Sequence, residues 1–323
     1  MGFRQNRAPS RRAVAGLVMA FVLPACDTTR DPSSLFAPGD IDVLVVDAVL
    51  LVGHLLPPVH VTSTLAPSDE FTAQTIAVPD ASVIVRSGAT EWVYAHAPTE
   101  EEEGRYAPPA DAPVVTAHTR YDLRVESQGR IATAFTETPA PVVIDNYRLL
   151  DDETLEVRRQ MLMFSEDMSD SAVYAAPENQ VGYLDGLAEA TFAPNGSPGY
   201  QIGIFRLDLD SDLVVNLDFL DQEIVDDLTE DAKFGGSSPP LDLSDGQLRL
   251  PWFAIFFSGR HKIRLYALDL NWFDYVRSID ITESGFAGGL AGDNFERPIF
   301  HVDGGIGLFG SASVDSVGLF VLP

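Results

Sequence analysis

Cysteine occurs once in the 323 residues, at Cys26, so no disulfide can form within the chain and its stability has to come from burial. Basic residues are also scarce: 21 Lys and Arg stand against 48 Asp and Glu, a formal net charge of −27. Four of the arginines (Arg4, Arg7, Arg11 and Arg12) lie in the first 25 residues, which hold no acid. The remainder therefore carries 17 basic and 48 acidic residues, net −31. A field of that sign repels phosphate backbones and excludes nucleic-acid binding. It repels anionic lipid headgroups too, so no basic face holds this chain to a membrane. No apolar run reaches the roughly 20 residues that a spanning helix needs.

Catalytic signatures are missing as well. There is no His-Glu-x-x-His zinc motif, no Gly-x-Ser-x-Gly elbow, no phosphate-cradling glycine loop and no dinucleotide fingerprint. The six histidines (His54, His60, His96, His118, His261 and His301) are scattered, with no two at the close spacing of zinc ligands. These absences leave no catalytic residue and no cofactor to name, and predict a protein that is not an enzyme.

What the chain does have begins at its start. The four arginines precede an apolar stretch, Ala13–Leu23, followed by Leu23-Pro24-Ala25-Cys26. A charged start, a short apolar region and a small residue before the cut describe an export signal. A cysteine directly after Ala25 makes it a bacterial lipoprotein signal, with cleavage after Ala25 and acylation of Cys26. Each buried acyl methylene contributes about 0.8 kcal/mol, so several chains on one cysteine give lasting membrane attachment. The expected location is the cell envelope, at the outer membrane. Residues 26–39 are polar and punctuated by proline, and read as a flexible tether.

From Ile41 the pattern is β. Ile41–Leu51 is rich in β-branched residues, and Val59–Leu65 alternates apolar and polar positions. Phe71–Val78, Ala81–Arg86 and Glu91–His96 read as further strands. Glu100–Glu103 reads as a solvated hairpin tip. Thr138-Pro-Ala-Pro141 marks a boundary, because proline cannot donate to a sheet ladder. This divides the chain into a signal (1–25), a tether (26–39), a β-sandwich domain (40–141) and a C-terminal β-rich domain (142–323). In the latter, Thr154–Phe164, Gly186–Phe192 and Tyr200–Leu209 are predicted strands. Gln247–Phe257 and Arg260–Leu268 are predicted to form a hairpin around Ser258-Gly259. Alternation then places Phe253, Ile255 and Phe257 opposite Trp252, Ala254 and Phe256, so both faces of that strand must be covered or one must dock a partner. Leu217, Leu220, Ile224, Val225 and Leu228 recur at helical spacing, and Leu270–Ile279 reads as a short amphipathic helix. The fold class is mostly β, two antiparallel β domains with one or two short helices.

Gly104-Arg-Tyr106, followed by Tyr121-Asp-Leu123-Arg-Val125 and the turn at Gly129, resembles the transthyretin-like, carboxypeptidase-regulatory type of β-sandwich over about residues 40–138. The resemblance implies a structural or binding module in which the second tyrosine opens a core strand and ties its hydroxyl to a neighbouring loop. Toward the end, Asn294-Phe-Glu-Arg-Pro298-Ile-Phe-His-Val-Asp-Gly-Gly305-Ile-Gly307-Leu-Phe309-Gly310 resembles the closing motif of an uncharacterised family of Gram-negative envelope lipoproteins. Asn271–Arg277 matches the aromatic helix-like stretch that precedes it, while His301-Val302 stands where Asn-Ile is usual. Members of that family often accompany TonB-dependent outer-membrane receptors, so the resemblance implies an accessory lipoprotein with such a receptor as partner.

One candidate binding feature comes from the residues themselves. In Asp208-Leu-Asp210-Ser-Asp212, alternate carboxylates can line one strand edge as a weak cation site, since hard cations take several carboxylate oxygens. A solvated strand end feeding a turn is the alternative. Gly304, Gly305, Gly307 and Gly310 read as backbone geometry rather than as a ligand loop. The sequence therefore predicts a lipid-anchored envelope protein of binding or accessory type, with recognition in the C-terminal half. A structural or surface-adhesive lipoprotein and an uncharacterised hydrolase stand as alternatives.

Overall fold

The computed structural model describes residues 42–66, 69–217, 222–279 and 298–323. The N-terminal strands are β1 (Leu44–Leu51), β2 (Val59–Ser63), β3 (Ser82–Ser87), β4 (Thr90–His96), β5 (Arg105–Ala107), β6 (Arg120–Ser127) and β7 (Arg130–Glu137). One helical turn, α1 (Ala73–Ile76), lies among them where the sequence predicted a strand. It forms because Thr72 caps it and Thr75 returns the bond, a reciprocal arrangement that closes a turn locally.

The second half holds β8 (Ile144–Leu150), β9 (Val157–Gln160), β10 (Gln180–Gly182), β11 (Leu187–Phe192), β12 (Tyr200–Arg206) and β13 (Gly235–Ser237). It continues with β14 (Gln247–Arg249), β15 (Gly259–Leu268), β16 (Val302–Asp303) and β17 (Gly305–Leu322). Three short helices, α2 (Asp170–Ala175), α3 (Gln222–Asp231) and α4 (Leu270–Ser278), break the strands, the last two where helical spacing predicted them. The protein is thus mostly β, as its composition and alternation imply.

One long, largely antiparallel sheet runs β13-β12-β15-β17-β1-β2-β5-β4-β3-β6-β7-β16, with β10 added to β17. A second sheet runs β14-β11-β8-β9. In the long sheet, β16 joins β17 through Gly304 alone, so the path that leaves β17 through β1 comes back to the start of β17. The strands between them wrap one core, in which Val46, Val61, Val83, Leu123 and Val125 are buried. The other core lies between β12, β15 and the end of β17 on one side and the second sheet on the other, with Leu149, Ala190, Ile263, Leu265 and Leu319 among its residues. Each fully buried Leu or Val of this kind contributes about 1.5–3 kcal/mol. β17 serves both: Phe309 belongs to the first core and Val317, Leu319 and Val321 to the second.

The tyrosine motif works as its resemblance implied. Tyr121 Oη accepts the Thr116 N–H at 3.1 Å, and Tyr106 Oη donates to the Val78 carbonyl at 2.5 Å. Gly104 is required because a Cβ there would lie 2.3 Å from the Val61 carbonyl oxygen.

The predicted hairpin of 247–268 is corrected. β14 and β15 belong to different sheets, and Pro251 is followed by a 3-10 turn, Trp252–Ala254, that leads the chain from one to the other. Strand alternation therefore does not apply to this stretch. Ile255 is buried, and Trp252 packs on the second core with its Nε1 donating to the Gly186 carbonyl. The two-faced aromatic strand that suggested a docking surface is not formed.

Candidate functional site

Charge gathers on the outer face of β3, β4, β6 and β7. Alternation in β6 sends Tyr121, Leu123 and Val125 inward and leaves Arg120, Asp122, Arg124 and Glu126 outside. Pairing with β3 sets Arg86 opposite Asp122 and Ile84 opposite Arg124. β4 adds Glu91 opposite Arg86, while β7 sets Phe135 opposite Asp122 and Thr133 opposite Arg124. These residues floor an open cleft of about 610 Å3, overhung by Asn271 of α4 and by residues 300–303 ahead of β17.

Asp122 is the hub of the floor. Arg120 donates to its Oδ1 from Nε at 3.0 Å and from Nη2 at 2.8 Å. Arg86 stands 4.0 Å from its Oδ2, and Arg124 turns instead to Glu126 at 2.9 Å. The Arg120 guanidinium also lies 3.8 Å from the centre of the Phe135 ring, a cation–π contact. All three arginine side chains are about half exposed. Pairs that open to water contribute little to stability, and each guanidinium keeps N–H groups that these carboxylates do not use.

The overhang is held by a buried polar network. Asn271 Nδ2 donates to the carbonyls of Phe135 (2.6 Å) and Phe309 (2.8 Å), tying α4 to β7 and β17. Asp269 caps α4 by accepting the Trp272 N–H at 2.9 Å and takes the Thr136 hydroxyl at 2.6 Å. The Thr136 and Ser311 hydroxyls are 2.6 Å apart. Burial pushes the Asp269 carboxyl above its ordinary value, against the pull of these hydrogen bonds. Asp274 holds the lip of the cleft: His301 Nε2 is 2.8 Å from its Oδ2, and Arg277 Nε donates to its Oδ1 at 2.8 Å. Gly310 leaves room for this packing, since a Cβ would sit 3.1 Å from that of Trp272.

The residues singled out from sequence lie elsewhere. Ala25 and Cys26 fall outside the described residues. Asp208 is committed to Arg260, accepting its backbone N–H at 2.7 Å and its guanidinium at 2.5 and 2.9 Å, which holds the carboxyl below its ordinary range. Asp210 and Asp212 are exposed on the turn that follows. The carbonyls of Asp208, Leu209 and Ser211 all accept from the buried Arg206, whose guanidinium stacks 3.6 Å from the Phe257 ring centre. Among the described residues no three His, Cys, Asp or Glu side chains gather in a group that could hold a metal ion.

The cleft arginines were missed in sequence. The signal was present strand by strand, as Arg120-x-Asp122-x-Arg124-x-Glu126 interleaved with Tyr121, Leu123 and Val125. What a single strand cannot show is that β3 lies beside β6, or that residues 300–303 return to overhang them. Among the described residues no helix is long and apolar enough to cross a membrane. No curated protein matches the chain. The model of the family described as a domain of unknown function (DUF4249) matches residues 34–317, and the chain belongs to that family.

Proposed function

We propose that this chain is an exported, lipid-anchored protein of the cell envelope that works by binding, as an accessory to a TonB-dependent outer-membrane transporter. Acylated Cys26 anchors it, and residues 26–39 tether the fold to the membrane. Recognition is at the cleft on the sandwich face, to which the C-terminal half contributes only the overhang. The observation that supports this reading is the cleft's construction. Its floor is a rigid sheet carrying half-exposed arginines, and a buried polar network fixes its lip. A pre-organised concave surface with a few converging polar groups is the usual form of a ligand site.

In-cell crosslinking of the tagged, lipidated protein, followed by mass spectrometry, tests the accessory role. An outer-membrane β-barrel receptor is expected among the captured proteins from the wild type. Replacement of Cys26 by Ser should move the protein from the membrane to the soluble fraction and lower that capture. A wild-type protein that fractionates as a free soluble species, or that captures no receptor, overturns the proposal.

A further inference from the structure

The same cleft carries a more specific reading, which rests on the proposal that it is the binding site: we propose that its ligand is a small aromatic acid, a carboxylate joined to a flat apolar ring. Basic side chains are scarce in this protein. The chain holds 48 acidic and 21 basic residues, yet the floor of this cleft brings together three arginines, Arg86, Arg120 and Arg124. They are centred on one carboxylate. Arg86 is directly opposite Asp122 across the β3–β6 pair, and Arg120 and Arg124 flank Asp122 two residues away along β6. Diagonal and next-nearest positions on a sheet face stand about 7–8 Å apart, within the reach of side chains this long.

Asp122 does not use up these donors. Its close hydrogen bonds come from Arg120 alone, Arg86 stands off at 4.0 Å, and the partner of Arg124 is the exposed Glu126. Arg86 and Arg124 therefore have N–H groups to offer on the same face, and guanidinium donors match a planar carboxylate in two-point contact. Two other carboxylates line the cleft, Glu91 on β4 and Asp303 on the overhang. Glu91 stands directly opposite Arg86 at the β4 edge, and Asp303 lies on β16 at the far edge beyond β7, so the positions between β3 and β6 are held by Asp122 and the arginines around it.

The apolar half of the ligand is read from the neighbouring walls. Phe135 is half exposed beside the arginines, with one side of its ring against Arg120. Phe300, two residues ahead of β16 on the same side as β7, also lines the cleft, its ring 6.1 Å from that of Tyr275 between centres. Ile84 floors the space beside Arg124. A ring packed beside Phe135 and Phe300 has its carboxylate directed toward β6 and β3, the strands that carry Arg124 and Arg86. The volume of about 610 Å3 suits a small molecule.

The test uses three probes by ligand-observed NMR on residues 26–323: benzoate, benzylammonium and acetate. The chain's overall field favours the cation, so a preference for benzoate can arise only locally. Benzoate is expected to bind, with benzylammonium and acetate at least tenfold weaker. The R86Q/R124Q variant, changed at two half-exposed positions, should melt as the wild type does and lose benzoate binding. Equal or better binding of benzylammonium, benzoate binding unchanged in the variant, or no benzoate binding at all would each overturn the proposed ligand. Crosslinking of the same variant in cells separates the two readings. If it loses the receptor while benzoate never bound, the cleft stands as the recognition site and only the ligand class falls.

Discussion

Asp269 and Glu189 are both buried carboxylates, and their surroundings send them in opposite directions. Glu189 lies fully buried between Arg148 and Arg249, its cross-strand neighbours in the second sheet. Burial pushes its carboxyl up, but the hydrogen bonds from the two arginines outweigh this and hold it below its ordinary value. Its stabilisation is therefore present at neutral pH and lost as pH falls. Among the described residues Asp269 has hydroxyl and amide partners but no cation, and burial raises its carboxyl above the ordinary 3.8. Between 3.8 and the raised value the folded protein holds a proton that the unfolded chain has released. Stability contributed at this site consequently falls as pH rises through that window and stays flat above it. Asp269→Asn keeps an N-cap acceptor and removes the charge. It is expected to match or exceed wild-type stability at pH 7 and to lack that slope, which then appears in the difference between the two stability–pH profiles from chemical denaturation. Asp269→Ala loses the cap and leaves the Thr136 hydroxyl short of a partner, at a cost of about 2 kcal/mol. Equal losses in the Asn and Ala variants at pH 7 would show that the buried charge itself is needed.

At the scale of elements, β17 depends on glycine at particular points. Gly307 has φ +110°, and a Cβ there would stand 2.1 Å from the Val46 carbonyl oxygen of β1. Both the backbone angle and the close approach exclude a side chain. Gly307→Ala should cost at least about 2 kcal/mol, seen as a Tm lowered by roughly 4 °C or more. Gly236→Ala, at a site with nothing within 4 Å, is the control and should leave Tm nearly unchanged. The glycine run near the end of the sequence was legible as backbone geometry, as were the alternating strands and both of the longer helices. The stretch 71–78 was not, because its residues suit a strand and only the Thr72–Thr75 cap decides for a turn. The hairpin at 247–268 failed for a related reason: Pro251 redirects the chain between sheets, and alternation on either side does not reveal it. The cleft was legible only as charged faces of separate strands. Its assembly depends on β3 pairing with β6 and on a segment more than 160 residues further along, and neither leaves a local mark.

Across the whole molecule, the last strand joins what the chain order separates. Eight residues of β1, Leu44–Leu51, pair in parallel with Gly305–Ala312, and ten residues of β15 pair antiparallel with Ala312–Val321 of the same strand. β17 thus supplies Phe309 to the first core and Val317, Leu319 and Val321 to the second, in a chain whose one cysteine permits no internal disulfide. Loss of either core strips β17 of half its burial, so neither core is expected to survive the other's unfolding. The three tryptophans allow a direct measurement. Trp92 packs on the first core, its ring 6.3 Å from that of Tyr121, and Trp252 packs on the second. Variants that keep only Trp92 or only Trp252, the others replaced by Phe, should give fluorescence transitions with coincident midpoints in urea, the mark of a single cooperative unit. A Trp92 transition clearly separated from that of Trp252 would mean that the strands around the first core hold together without their closing strand. Ending the chain after Gly304 should then spare the Trp92 signal, whereas under cooperative coupling it removes the folded signal of both.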